Sequence, residues 1–133
     1  MKESIDALHV EIIHVNYLDE YEGMVRFKTE SSNVYDAMFW GNTFEPGEKR
    51  NLKVSQLGQR FNWEKTFSLN PFKEKKLEKL EDGPGYIGYG QIEKLNPVIG
   101  CFGDFQLNLG NWTSDERVIN EYIYWRIDRL EVS

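Results

Sequence analysis

The chain has 133 residues and a mass of 15.7 kDa, the size of one domain, and at that length it can bury roughly two-thirds of its surface without help from a disulfide or a metal. Its single cysteine, Cys101, excludes an internal disulfide and any cage built of thiolates alone, and its apolar runs fall far short of the ~20 residues needed to span a bilayer. The net charge of −6 is unevenly spread, with 3 basic and 9 acidic groups in residues 1–47, 9 and 4 in residues 48–79, and 4 and 9 in residues 80–133. That balance disfavours nucleic acid unless the middle segment gathers its cations on one face.

Two acids, Glu3 and Asp6, precede the first apolar stretch, so no secretory leader is read and a cytoplasmic setting is expected. From Ile5 to Leu18 the apolar residues alternate imperfectly, with a change of phase between Ile12 and Ile13, the mark of a strand carrying a bulge. The acidic turn Asp19–Gly23 leads into a second alternating run at Met24–Thr29. Ser31-Ser32-Asn33 turns the chain into a third at Val34–Trp40, and the three make a meander. Residues 41–49, with Gly41, Asn42, Pro46 and Gly47, have the composition of a loop.

Leu52, Val54 and Leu57 mark a fourth strand, and Phe61, Trp63 and Phe67 a short fifth. Asn70-Pro71 then has the chemistry of a helix start, which predicts one short helix near residues 71–80 with Phe72, Lys76, Leu77 and Leu80 along a narrow apolar edge. After Asp82-Gly83-Pro84-Gly85, the run Tyr86–Leu95 has glycines interleaved with Ile87 and Tyr89, as in a bent strand, and Val98–Leu109 alternates as one long strand. The last segment, 118–132, fits a helical stripe as well as a strand. Its aromatic and β-branched density at Tyr122–Ile127 favours a strand after a short helical turn.

The whole, residues 1–133, reads as a single mainly β domain, a small curled antiparallel barrel or sandwich whose layout resembles that of an oligonucleotide-binding fold.

Chemistry-bearing motifs are sparse. Gly83-Pro84-Gly85-Tyr86-Ile87-Gly88 has the spacing of a dinucleotide-binding turn but lacks the preceding strand and following helix that would aim amide groups at a pyrophosphate, so it reads as a barrel bend and no cofactor is expected. His9 and His14, five apart, point to opposite faces of a strand unless a bulge intervenes, and nothing completes a metal site around them. Cys101 falls in an apolar phase and reads as inert. Asn111-Trp112-Thr113 matches a glycosylation sequon, without weight in a chain read as cytoplasmic. Asp104, Asp115, Glu116, Asp128 and the Asp19, Glu20 and Glu22 cluster carry no signal of a carboxylate pair in a chain with 22 acids. The aromatics Trp40, Phe44, Trp63, Trp112 and Trp125 are more informative, because Trp40, Phe44 and Trp112 stand next to Gly- and Asn-rich loops and rings at loop rims anchor partners.

Three functional classes follow. The first is a non-enzymatic binding or accessory module that meets a basic protein partner through acidic loops and rim aromatics. The second is single-stranded nucleic-acid binding, with Arg50, Lys53, Arg60 and Lys65 along the phosphates and Phe61 and Trp63 stacking on bases. The third is an enzyme with a small substrate inside the barrel, near His14, Tyr89 or Asp104. The sequence favours the first, a protein without catalysis.

Overall fold

The computed structural model describes residues 7–58 and 62–133. The chain opens with the expected meander: β1 (Leu8–Asp19), β2 (Glu22–Thr29) and β3 (Val34–Trp40), antiparallel throughout. The bulge in β1 lies where the phase changes, since Ile12 pairs with Phe27 while His14 pairs with Arg26, leaving Ile13 as the extra residue. Val10 and Ile12 point into the core, and the extra residue turns His14 outward alongside His9. The histidines therefore share the solvent face.

β4 (Lys49–Leu52) returns to pair with the start of β1, and β5 (Val54–Gly58) leaves it to pair with β10 (Tyr122–Val132). The expected single fourth strand is thus two. Lys53 is the switch point, where its amide and carbonyl exchange hydrogen bonds of 3.0 and 3.1 Å with Ser133 and so hand the chain from one neighbour to the other.

A short helix forms, but at α1 (Trp63–Ser68) rather than near residues 71–80. Asn62 caps it, its side-chain oxygen accepting from Lys65 N at 2.9 Å. Trp63 and Phe67, read from the sequence as part of a strand, stand one helical turn apart and stack at 5.5 Å. Asn70 does not cap a helix. Its buried amide nitrogen donates to the carbonyls of Glu74, Gly90 and Ile123, while its oxygen accepts from Glu74 N. These bonds hold residues 70–74 as a turn, and the charged run after it becomes β6 (Lys76–Lys79), paired with β7 (Tyr86–Lys94).

The run Val98–Leu109 is likewise a hairpin rather than one long strand, with β8 (Ile99–Cys101) and β9 (Gln106–Asn108) joined by a turn in which Phe102 N donates to Phe105 O at 3.0 Å. The cause is the Phe102 ring. It occupies a slot floored by Gly88, Gly90 and Gly100, where a Cβ at any of the three would come within 2.7–2.8 Å of it. The glycine-punctuated stretch is therefore a receptacle for one aromatic ring, on the strand that bends around it.

A 3₁₀ turn, Glu116–Val118, precedes β10, so the last segment is a strand after a helical turn. The strands follow the order β4-β1-β2-β3-β10-β7-β8-β9, with β5 added on β10 and β6 on β7, and curl into a half-barrel. Among the described residues, only β3 and β10 run parallel. Phe27, Phe39, Ile92, Leu107, Ile123, Trp125 and Ile127 fill the concave side. No helix of the described residues is long and apolar enough to cross a membrane.

Candidate functional site

The β1–β2 hairpin ends in an exposed turn beside the end of β3. A second register irregularity between Tyr17 and Asp19 twists its end, and Gly23 is required there because a Cβ would collide with the backbone of Asn16. Asp19 Oδ1 accepts from Tyr21 N at 3.0 Å and closes the turn, which sets Leu18 (64% exposed) and Tyr21 (54%) among Asp19, Glu20 and Glu22. No basic residue lies between Val15 and Val25. Glu22 pairs across the sheet with Trp40, 41% exposed at the end of β3, so an acidic tip and an aromatic rim form one surface.

The rim is braced from beneath. Tyr17 Oη donates to Phe44 O at 2.7 Å and accepts from Phe44 N at 2.8 Å, fixing the 41–48 loop under the hairpin. Phe39 meets the edges of both Tyr17 (5.5 Å) and Phe44 (4.9 Å). The Arg50 guanidinium covers Phe44 at 4.4 Å and Arg129 covers Trp40 at 5.1 Å, with Arg129 also bonded to Glu131 at 2.9 Å. Phe44, expected at an exposed rim, is 2% exposed and acts as a support, and Arg50 lies on this acidic end of the molecule.

Trp63 and Trp112 form a separate cluster. Trp112 stacks on buried Trp125 at 5.9 Å and meets Trp63 edge-on at 6.1 Å, leaving Trp63 outermost and 58% exposed. Beyond α1 stands Phe72, 83% exposed at the tip of the Asn70 turn; the sequence placed it on the narrow apolar edge of a helix instead. Its Asn-Pro predecessor was the available sign of a turn. The basic residues of 48–79 are distributed: Arg50 on β4, Lys53 at the β4–β5 junction, Lys65 on α1, and Lys76 on β6 between Glu74 (2.7 Å) and Glu78 (2.9 Å). Arg60 and Phe61 lie outside the described residues.

The groups considered for a buried small-substrate site are scattered. His14 is on the outer face of β1, Tyr89 lies beside Tyr124 and under Lys76 on the outside of β7, and Asp104 is in the β8–β9 turn. Asp104 accepts from Ser31 Oγ, from Asn33 Nδ2 at 2.8 Å and from Tyr35 Oη at 2.6 Å, at the edge of a pocket of about 360 Å³ that Lys75 and Lys76 also line. Burial pushes this carboxyl upward, but the donated hydrogen bonds outweigh it and hold the group below its usual range. Burial and the facing carboxylate push the Tyr35 hydroxyl well above its ordinary value. This is a clasp between the β2–β3 and β8–β9 turns. Among the described residues, no group of three or more His, Cys, Asp and Glu is placed to hold a metal ion.

Searches against family models, curated proteins and solved structures returned no match for this chain.

Proposed function

We propose that this chain is a non-enzymatic binding module whose acidic hairpin end takes a basic protein partner. The observation that carries the reading is the closeness, at one edge of the sheet, of three carboxylates and exposed Leu18 and Tyr21 on the hairpin turn to exposed Trp40 at the end of the adjoining β3. Apolar rings supply contact energy when desolvated, and the surrounding charge steers encounter with a cationic surface. The tip is also pre-organised, because the Tyr17–Phe44 hydrogen bonds and the Phe39 contacts fix it without a partner, which lowers the ordering cost of binding.

The test is a pull-down from lysate at low salt with the wild type beside the double variant Leu18→Ser, Tyr21→Ser. Capture of a basic protein that falls with added salt, and that the variant loses, supports the reading. Equal capture by the variant, or capture of nothing by a chain that also stays monomeric, overturns it. If the tryptophan emission shifts instead on adding mixed-sequence oligonucleotides, base stacking on Trp63 takes its place.

A further inference from the structure

The end of the molecule opposite the acidic tip carries the complementary surface. Phe72 stands at the tip of the turn that Asn70 pins with four hydrogen bonds, and exposed Trp63 and Leu69 precede it at the start and the C-terminal cap of α1. Residues 63–76 carry four basic and two acidic side chains; Lys65, Lys73 and Lys75 form no ion pair among the described residues, Lys75 also lining the Asp104 pocket, whereas Lys76 is taken up by Glu74 and Glu78. The placement is fixed by one strand. Lys73 lies 6.0 Å from the ring of Tyr122 at the start of β10, while Arg129, near its end, lies over Trp40 of the acidic rim. Tyr122 and Arg129 are about 23 Å apart along an extended strand, so the basic aromatic turn and the acidic aromatic tip lie near opposite ends of β10.

Resting on the reading above, we infer that the partner of the hairpin tip is a second copy of this chain, which offers a locally basic turn on an acidic molecule: the Leu18–Tyr21–Trp40 tip of one copy docks on the Trp63–Leu69–Phe72 surface of the next. Both surfaces expose apolar anchors, and their local charges are opposite. Since the two lie at opposite ends, the contact is head-to-tail and does not close on itself in a pair. Within a single copy the surfaces cannot meet.

Two variants test this, each altering a side chain exposed to solvent: Glu20→Lys at the tip and Phe72→Glu at the turn. In sedimentation velocity the wild type shows a weight-average mass that at least doubles between low and high micromolar concentration, and each variant alone stays at the monomer mass. Mixed, the two variants form a species of twice the monomer mass and nothing larger, because the intact tip of one meets the intact turn of the other and both remaining ends are blocked. A wild type that stays monomeric, an association that Phe72→Glu leaves unchanged, or a mixture that stays monomeric overturns the inference. The proposed binding function fails separately. If the wild type is monomeric yet its pull-down returns a basic protein that Glu20→Lys loses, the tip binds another partner; if that variant loses nothing, the tip is not a binding surface.

Discussion

Single side chains hold the turns of this protein in place, and two of them carry most of that work. Asn70 is buried and satisfies three carbonyls and one amide, so Asn70→Ala leaves several polar groups without a partner and costs about 2–3 kcal/mol, read as a lowered urea midpoint. The sequence shows an Asn before a Pro, which is the chemistry of a helix start. Its actual partners on β7 and β10 are 20 and 53 residues away and leave no local trace.

Asp104 closes the other turn. Its carboxyl titrates lower in the folded chain than in the unfolded one, so its stabilisation is complete above the ordinary carboxylate range near ~3.9 and is lost as pH falls through the folded value. Asp104→Ala is therefore less stable than wild type at neutral pH, by about 1 kcal/mol because the cluster is open to solvent, and the gap closes in acid. Urea titrations at pH 7 and in strong acid check this; a gap that persists in acid contradicts it.

The elements divide by whether their cause is local. The meander, the β1 bulge and the final strand were legible because two-residue alternation reports directly which face meets the core, at Val10 and Ile12, at Val25 and Phe27, and at Ile123, Trp125 and Ile127. The helix was displaced and the 98–109 strand was split for reasons the alternation does not record. Trp63 and Phe67 are four residues apart, a helical spacing hidden inside an apparent strand, and Phe102 interrupts its run only because glycines on two strands make room for its ring. Of the site, the acids and Trp40 were legible as charge and aromatics beside turns. The burial of Phe44 and the exposure of Phe72 were not, since both depend on distant partners.

The Phe102 slot gives a test at this scale. Gly90→Ala sets a methyl within 2.7 Å of Cys101 O and 2.8 Å of the ring, an overpacking expected to cost about 1–3 kcal/mol in urea denaturation. Adding Phe102→Leu frees space and recovers part of that loss, so the two effects are not additive. Additive losses would show that the ring and the glycines do not share the slot.

At the scale of the molecule, β10 is the hub, pairing with β7 over its first half, with β5 over its second, and with β3 at its end. Opening it requires breaking three interfaces at once. Amide exchange is therefore expected to be slowest in β10 and the facing part of β7, and fastest at the exposed Leu18–Tyr21 turn. Protection at the turn equal to that of β10 would contradict this picture. The curvature of the sheet and its single parallel pair come from contacts far apart in sequence, which is why alternation gave the strands but not their order.

The tryptophans also make the molecule its own optical gauge. Three of the four, Trp63, Trp112 and Trp125, are in ring contact along one line from surface to core, while Trp40 sits apart beneath a guanidinium at the far end. Replacing Trp40 with Phe leaves emission that responds to events near α1, and its difference from wild type isolates the signal of the acidic tip. One pair of spectra thus separates what touches either pole, with no dye attached.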